Sequence, residues 1–373
     1  MDPTTPATAP DAPGAPDAPR GPDAWARAYH DRLGRGSIPG LDGIRALAVL
    51  LVIANHFGFE WINGALGVLI FFVLSGFLIT WLMLREVDRT GRVSLRNFYR
   101  RRILRIFPAF YAFWLFGVGT YLVRGHYLDW GQALSAFFYF SNYWMGLVPS
   151  DCMLFPHTWS LSIEEQFYLL WPALFLLGLR SPRRLPWFLG AAIVAVWIHR
   201  ALLHLVFHVR PEYIYRAFDT RLDHLAVGCL LAILLKRGHL DGLARAVTRS
   251  AWLPLLTLAV LFAAQAGHGS LTFIYTVGYA IEPLLTALFL LQLVWFSDTG
   301  GWRIVEHPVT RYLGRISYPL YLWQQLTLYT SKRVLAGQPV ALQFAFALAV
   351  TVAFASASYF IVEKPFLKLK GRF

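Results

Sequence analysis

The stretch GLDGIRALAVLLVIANHFG, residues 40–58, decides the fold class of this chain. Most of its residues are apolar, and it approaches the roughly 20 residues that a helix needs to cross a bilayer. Two of the exceptions are Arg45 and His56, whose side chains are ionisable. A charged side chain at the bilayer centre costs roughly 2.5–3.5 kcal/mol or more, so such residues within a membrane span are candidates for function.

The spacing of Arg45 and His56 places them on one side of the helix. At about 100° and 1.5 Å per residue, the eleven steps between them end about 20° past three turns and about 16 Å along the axis. Two interpretations stay open from this stretch alone. The residues form a functional pair, or Arg45 extends to the interface while His56 packs against a neighbouring helix.

The composition extends the membrane interpretation to the whole chain. Of the 373 residues, 57% are hydrophobic and 15% are charged, against about 25% charged in soluble domains. We predict an all-α integral membrane protein, a bundle of about ten transmembrane helices with an additional interfacial or re-entrant helix at 133–147. The ten spans are expected at about 41–60, 65–84, 108–123, 159–179, 185–206, 221–236, 251–268, 273–296, 312–331 and 340–362.

The positions of the basic residues predict the orientation. With ten spans and the N-terminus inside, 25 of the 34 Lys and Arg residues fall in cytoplasmic segments and five in external ones. This bias is the positive-inside pattern. It predicts a multi-pass protein of the cytoplasmic (inner) membrane, surrounded by the lipid bilayer, with both termini cytoplasmic. The formal charge of +13 thus reflects topology, and no nucleic-acid partner is expected.

Three segments are expected along the chain. Residues 1–37 are rich in Pro, Ala and Asp, a composition that cannot bury enough apolar surface to fold, so we predict a disordered cytoplasmic tail with a short interfacial helix at 25–33. Residues 38–367 form the transmembrane domain, and 368–373 a short basic cytoplasmic C-terminus. The two cysteines, Cys152 and Cys229, give no disulfide framework.

A basic motif, NFYRRRILRIFP at 97–108, leads into the third span. Arg102 and Arg105 are one helical turn apart and run directly into apolar sequence, so both are expected to point into the bundle. Guanidinium groups bind phosphate through two parallel hydrogen bonds. The motif therefore indicates a phosphate-bearing ligand from the cytoplasm. For Arg100 and Arg101, positive-inside charge and lipid headgroup contact are the favoured interpretation.

A pair of carboxylates occurs in PHTWSLSIEEQFYLLWP, residues 156–172. Consecutive residues on a helix point in different directions, so at most one of Glu164 and Glu165 is expected to face the bundle core. By depth, Glu164 is expected to meet His56, where a carboxylate would orient the imidazole for general-base catalysis. The alternative is that both glutamates are caps at the membrane interface.

Two further motifs are placed near the outer side and in the ninth span. In DTRLDHLAVG, residues 219–228, Arg221 and Asp223 form either a structural ion pair or an acceptor contact. In RYLGRISYPLYLWQQ, residues 311–325, Gly314 and Pro319 predict a broken helix, which is tolerated where it lines a cavity. The histidines show no convincing metal-ligand spacing, so no metal site is predicted.

Seven motifs, in this order over about 38–367, resemble the acyltransferase-3 family of integral-membrane O-acyltransferases, which includes O-antigen acetylases and antibiotic acyltransferases. They are GLDGIRALAVLLVIANHFG, FFVLSGFLIT, FYRRRILRIFP, HTWSLSIEEQFYLLWP, RLDHLAVG, LGRISYPLYLWQQ and SYFIVEKPF. Each is weak alone, but the ordered set is specific. The resemblance covers nearly the whole chain.

The resemblance implies an acyl group, often acetyl, taken from cytoplasmic acyl-CoA as a donor substrate, with no permanently bound cofactor. It implies that His56 is catalytic, that Glu164 holds the carboxylate position of its motif, and that donor binding falls to Arg45, Arg102 and Arg105. Trp159, Arg221 and Asp223 are expected on the acceptor side or in structural roles.

Two departures from the family pattern bear on these expectations. Gln324 stands where many members carry His after the Leu-Trp pair, so we assign no chemistry to it. The chain also ends soon after Phe366, without the hydrolase-like extracytoplasmic domain of some members. Either the acceptor is acylated directly here or a separate extracytoplasmic partner protein completes the transfer.

Together these observations predict O-acetylation or another O-acyl transfer to a hydroxyl of a sugar-containing acceptor, either a cell-surface polysaccharide or a glycosylated natural product. His56 would act as general base with Glu164 as its orienting residue, or would carry the acyl group covalently. The alternative class is a proton-coupled transporter or flippase of a lipid-linked or acyl substrate, with His56 and Glu164 as a proton relay.

Overall fold

The computed structural model describes residues 21–149 and 154–370, and every regular element within these ranges is helical. The predictions for residues 1–20, for Cys152 and for residues 371–373 lie outside the described residues.

The described chain forms a series of helices that we number in chain order. The first nine are α1 (Pro22–Gly34), α2 (Leu41–Phe57), α3 (Gly64–Thr90), α4 (Leu95–Val123), α5 (Trp130–Phe137), α6 (Ser141–Leu147), α7 (Thr158–Leu179), α8 (Leu185–Leu205) and α9 (Pro211–Arg216). The others are α10 (Leu222–Lys236), α11 (Asp241–Val247), α12 (Leu253–Ala266), α13 (Leu271–Phe273), α14 (Tyr279–Phe296), α15 (Pro308–Arg315), α16 (Ser317–Val334), α17 (Val340–Ser358) and α18 (Lys364–Lys370).

Helices coincide with all ten predicted spans. Within the described residues, five stretches are long and apolar enough to cross a membrane, which makes this a membrane-embedded protein. They are Gly64–Thr90, Leu95–Val123, Pro182–Leu205, Leu271–Phe296 and Val340–Leu369. The count of about ten crossings stays a prediction. The third predicted span, 108–123, was too short, because its helix already begins at Leu95 and contains the whole arginine motif.

Two irregular regions lie where polar and glycine residues interrupt the apolar pattern. The segment at 133–147 is occupied by two short helices, α5 and α6, with Tyr139 between them at a positive φ of 57°. The predicted break in the ninth span is confirmed, because α15 ends at Arg315 and α16 begins at Ser317. Gly314 allows α15 to approach α2 closely, since a Cβ atom there would lie 1.9 Å from the Asp42 carbonyl oxygen.

Two glycines bring α3 and α10 into direct backbone contact. A Cβ atom on Gly76 would lie 1.9 Å from the Leu225 carbonyl oxygen, and one on Gly228 would lie 2.0 Å from that of Val73. Cys229, buried and free, donates its Sγ–H to the Gly76 carbonyl at 3.4 Å. Small residues permit such close approach between helices in membranes. The glycines of two sequence motifs thus serve packing.

The N-terminal helix α1 corrects the prediction of a disordered tail extending to residue 37. Trp25, Tyr29 and Leu33 are buried at four-residue intervals, the spacing of one helix face. The Tyr29 hydroxyl donates to the Leu291 carbonyl at 3.0 Å, and Trp25 packs on Trp295. At least this helix is anchored to α14, although the sequence around it is polar. The interfacial helix expected at 25–33 corresponds to α1.

Candidate functional site

A cavity of about 300 Å³, here called the arginine cavity, lies between α2, α3, α4, α7 and α16. Its charged lining consists of Arg45, Arg85, Arg102, Arg105, Asp42, Glu164 and Glu165, and its wall also includes Ser75, Ser160, Tyr168, Tyr318 and Tyr321. Apolar side chains from α3 and α4 complete the wall. The cavity therefore combines guanidinium groups with an apolar section, as a site for an amphipathic molecule bearing anionic groups would.

The three arginines predicted to act together all line this cavity. Arg45, one turn into α2, forms an ion pair with Asp42 at 3.2 Å. Arg102 stacks on Tyr168, with its guanidinium carbon 4.5 Å from the ring centroid. Arg105 follows one turn later on α4. Stacking fixes the plane of a guanidinium group but leaves its N–H donors available for a ligand.

Both glutamates of α7 line the arginine cavity, which corrects two expectations. Glu164 accepts a hydrogen bond from Ser75 Oγ at 2.8 Å, and the Tyr168 hydroxyl donates to the same Ser75 oxygen at 2.9 Å. Glu165 also faces the cavity, because α7 presents a wide sector to it. No hydrogen bond or ion pair joins Glu164 to His56 anywhere in residues 21–149 and 154–370, so the contact expected between them is not formed in this structure.

His56 lines a second, larger cavity of about 1020 Å³, here called the histidine cavity. The end of α4, the loop that follows it and α16 supply most of the other lining residues: Thr120, Tyr121, Arg124, His126, Tyr127, Asp129, Pro149, Leu154, Pro156, Gln325, Leu326, Leu328, Tyr329, Thr330 and Lys332. The two ends of α2 therefore belong to different cavities, Arg45 to the first and His56 to the second.

Gln324 is the partner of His56. The carboxamide Oε1 of Gln324 lies 2.9 Å from His56 Nδ1, and the Gln324 side chain is fully buried. A carboxamide oxygen only accepts hydrogen bonds, so in this contact Gln324 pairs with the His56 tautomer that has its proton on Nδ1 and its lone pair on Nε2. Sequence reasoning missed this residue. The available signal was the departure itself, a Gln where many family members have His.

One face of α16 runs along both cavities. Tyr318 and Tyr321 line the arginine cavity, while Gln325, Leu328 and Lys332 line the histidine cavity. Their alternating spacing of three and four residues keeps all five on one side of the helix. The two cavities are thus successive sections along a common wall. Tyr321 lies at the transition, and its hydroxyl contacts Ser160 Oγ at 2.7 Å and donates to the His157 carbonyl at 3.1 Å.

Of the two alternatives for Arg221 and Asp223, the direct ion pair is not formed between them in the described residues, and an acceptor contact stays a prediction. Asp223 is bound by Arg200 of α8, with Nη1 3.0 Å from Oδ2, and both side chains are fully buried. Arg221 stacks instead on Tyr279, its guanidinium carbon 3.9 Å from the ring centroid. Trp159 is a further ring of this cluster, at 5.9 Å from Arg221. At the beginning of a helix, side chains two positions apart point in different directions. Arg221 and Asp223 therefore have separate partners.

No group of three or more His, Cys, Asp or Glu side chains with the geometry of a metal site occurs in the described part of the chain. A carboxylate–histidine pair of the kind expected at His56 does occur, but between His268 and Glu282 at 2.5 Å. The other nitrogen of His268 contacts Asn63 at 3.0 Å. Both ring nitrogens of His268 contact other side chains of the protein, so we interpret this pair as structural.

The family model for an acyltransferase domain (acyltransferase-3) matches residues 38–360. The chain belongs to the acyltransferase-3 family. This is an enzyme family, and the assignment agrees with the ordered motifs of the sequence. No solved structure was matched.

Three relatives of this acyltransferase-3 chain come from bacteria. The peptidoglycan O-acetyltransferase OatA of Listeria monocytogenes is 31% identical over 359 residues, covering 90% of this chain and 57% of the relative. A Bacillus subtilis protein provisionally named a peptidoglycan O-acetyltransferase is 33% identical over 364 residues, covering 90% and 56%. A Staphylococcus aureus protein provisionally named an O-acetyltransferase is 32% identical, covering 89% and 57%. The chain thus spans little more than half the length of these relatives.

Replacing Gln324 by leucine is expected to lower kcat about tenfold and to leave the affinity for the donor unchanged. One hydrogen bond worth about 1.4 kcal/mol would be lost from the histidine. Gln324→Glu should keep the contact but shift the acidic limb of the pH–rate profile to higher pH, because a carboxylate stabilises the protonated imidazole. The control is Gln343→Leu, which replaces a half-buried glutamine of α17 that is absent from the described lining of both cavities. Unchanged kinetics in both Gln324 variants would contradict a positioning role.

Proposed function

We propose that this chain transfers an acyl group, most often acetyl, from cytoplasmic acyl-CoA to a hydroxyl of a sugar-containing acceptor. The observation that carries the proposal is the common wall of α16, which makes the arginine cavity and the histidine cavity successive sections of one path. A donor entering by the first section and an acceptor entering by the second would meet near His56.

The arginine cavity suits the donor. Coenzyme A carries phosphates at one end and a long neutral arm that ends in the thioester. Arg45, Arg102 and Arg105 offer guanidinium donors for the phosphates, and the apolar wall suits the arm. The axial distance of about 16 Å from Arg45 to His56 is the length that the arm has to cover. Tyr321 stands on this route, and we propose that its side chain moves when the donor binds.

The histidine supplies the chemistry. With the proton of His56 held on Nδ1 by Gln324, the Nε2 lone pair accepts the proton of the acceptor hydroxyl while the oxygen attacks the thioester carbonyl. The carbon–sulfur bond then breaks, and the imidazolium returns the proton to the departing thiolate. In the covalent alternative, Nε2 itself attacks the thioester carbonyl and the thiolate of coenzyme A leaves. In a second step the acceptor hydroxyl attacks the acyl-imidazole, the carbon–nitrogen bond breaks, and the proton of the hydroxyl balances the charge of the thiolate.

Glu164 receives a different role in this proposal. It lies in the arginine cavity and is hydrogen-bonded by Ser75, itself bonded by Tyr168, on which Arg102 stacks. Its carboxylate would balance the positive charge of the arginines when the donor is absent. It would also hold Arg102 and Ser75 in place for the phosphates. This role depends on charge and position, and not on contact with His56.

The cellular setting is proposed from the sequence. About ten crossings, a location in the cytoplasmic membrane and both termini in the cytoplasm follow from the distribution of basic residues. The acceptor is then a cell-surface polysaccharide or a glycosylated natural product. The names of the relatives in Listeria and Bacillus, which refer to peptidoglycan, add weight to a cell-surface glycan. A separate extracytoplasmic protein would complete the transfer if the acceptor is not acylated directly.

The test is transfer itself. Purified protein in liposomes is supplied with acetyl-CoA labelled in the acetyl group, and a panel of glycans is added on the opposite side. We expect label to appear in an ester on the glycan together with free coenzyme A. The family assignment favours this outcome over the transporter alternative. Translocation of an unchanged substrate coupled to a pH gradient, without ester formation, would overturn the proposal.

A further inference from the structure

The histidine cavity has an uneven charge in its described lining. Arg124 and Lys332 are permanent cations, and Asp129 is the single carboxylate among the described lining residues. Asp129 is already used in part, because its Oδ1 accepts the backbone N–H of Gln132 at 3.1 Å and caps α5. The acceptor is proposed to bind in this cavity, but the two basic side chains have no role in the reaction proposed above. Their presence calls for an anionic group.

Lys332 is the cation next to His56. Its Nζ lies 4.7 Å from the centroid of the Phe57 ring. A Cβ atom added at Gly58 would lie 3.4 Å from the same nitrogen. The ammonium is therefore held against the two residues that directly follow His56, at the end of α2. No ion pair involves Lys332 in the part of the chain that the structure describes.

A structural explanation accounts for part of this arrangement. The C-terminal end of α2 carries a partial negative charge, and an aromatic face attracts a cation. Both interactions stabilise the position of the ammonium, but neither neutralises its charge or uses all three of its N–H donors. Lys332 is half-buried and open to the cavity. An anionic group of a ligand at this point would neutralise the charge of Lys332 and accept hydrogen bonds from its remaining N–H donors.

The rest of the lining suits a sugar. Tyr121, Tyr127 and Tyr329 line the cavity, and aromatic side chains of this amphipathic kind suit the apolar faces of sugars. The volume of about 1020 Å³ accommodates more than one sugar residue. A few polar groups in a mostly preformed cavity fix orientation. Here Lys332 places a basic group against the two residues that follow His56.

We propose that the acceptor is an anionic glycan, whose carboxylate or phosphate is bound by Lys332 so that a neighbouring hydroxyl faces His56 Nε2. The inference rests on the proposed function, which makes this cavity the acceptor site. Arg124, an exposed residue of the same lining, binds a second anionic group of the same chain. Neutral glycans enter the cavity but bind without this anchor.

The experiment measures binding of matched probes to the protein in nanodiscs of zwitterionic lipid, by calorimetry without donor. Tetragalacturonate is compared with its methyl ester, which keeps the hydroxyls and removes the charge. Methyl glucoside 6-phosphate is compared with methyl glucoside, so that the two pairs distinguish carboxylate from phosphate. We expect at least one charged probe to bind about tenfold more tightly than its neutral match.

Variants locate the effect. Lys332→Gln should abolish the preference for the charged probe, and Lys332→Arg should retain it. Arg333→Gln is the charge-matched control. Arg333 is the next residue, is exposed, and stacks on Tyr329 at 5.8 Å without lining the cavity. Its substitution should leave the preference intact. Equal affinity for charged and neutral probes in the unaltered protein, or a preference that survives in Lys332→Gln, would overturn the inference.

A second measurement separates this inference from the proposed function. Acetyl-CoA binding is determined in the same nanodiscs, for the unaltered protein and for each variant. Retained donor binding with no charge preference among the glycans overturns the anionic acceptor alone. Absent donor binding in the unaltered protein counts against acyl-CoA-dependent transfer, whatever the glycan result. Donor binding also shows that Lys332→Gln is folded.

Discussion

His56→Ala is expected to reduce acyl transfer at least about a thousandfold while changing the affinity for acyl-CoA by less than about twofold. The imidazole is the proton acceptor in the proposed reaction, and no other described base contacts Gln324. The donor phosphates are held at the far end of α2, so their binding should not depend on this side chain. Transfer is followed with labelled acetyl-CoA, and donor binding by equilibrium titration.

The control for this substitution is His239→Ala, which removes an exposed histidine between α10 and α11. This substitution should leave both the rate of acyl transfer and the affinity for acyl-CoA unchanged. A His56→Ala protein that retained more than about a tenth of the transfer rate would remove His56 from the mechanism. Mass spectrometry of the unaltered protein after exposure to acyl-CoA without acceptor distinguishes the two chemical routes. An acyl adduct on His56 supports the covalent route, and its absence supports direct transfer.

Gly76→Ala and Gly228→Ala are each expected to lower the melting temperature by several degrees or to prevent recovery of folded protein. A Cβ at either position would lie about 2 Å from a backbone carbonyl oxygen of the opposite helix. Overpacking in a core typically costs about 1–3 kcal/mol, and more where the opposing atoms are backbone and cannot rotate away. Thermal unfolding of the purified protein measures the effect.

Gly190→Ala is the matched control, because nothing lies within 4 Å of a Cβ at that position in α8. It should be neutral or raise stability by up to about 1 kcal/mol through helix propensity. If Gly76→Ala and Gly190→Ala melted at the same temperature, α3 and α10 would not pack as described. The comparison also separates the structural role of the motif glycines from any role in chemistry.

The helices and the arginine group could be predicted from sequence because both depend on local spacing. A helix lies at each of the ten positions that the apolar runs predicted, and the one-turn separation of Arg102 and Arg105 placed both on a single face. The break before Ser317 was equally local, since Gly314 and Pro319 mark it. Helix α1 was underestimated because its flanking sequence is polar, although Trp25, Tyr29 and Leu33 already carried the periodic signal.

The partners of the charged and catalytic side chains could not be predicted, because they come from distant parts of the chain. His56 and Gln324 are separated by 268 positions, and no local pattern links them. Depth alone suggested Glu164 as the partner of His56, but the rotation of α7 turns Glu164 toward the arginine cavity. Asp223 likewise met Arg200 of α8 and not its neighbour Arg221. Helix rotation is set by tertiary packing, which a single sequence does not specify.

The most direct test of acyl-CoA-dependent transfer through the arginine cavity is equilibrium binding of acetyl-CoA to the purified protein and to two variants. Arg102→Ala should weaken binding by roughly 10–100-fold, because it removes a charge-assisted contact to phosphate. Arg96→Ala, which removes an exposed arginine of the same helix, should not change it. Undetectable binding to the unaltered protein, or equal affinity in both variants, would contradict the account.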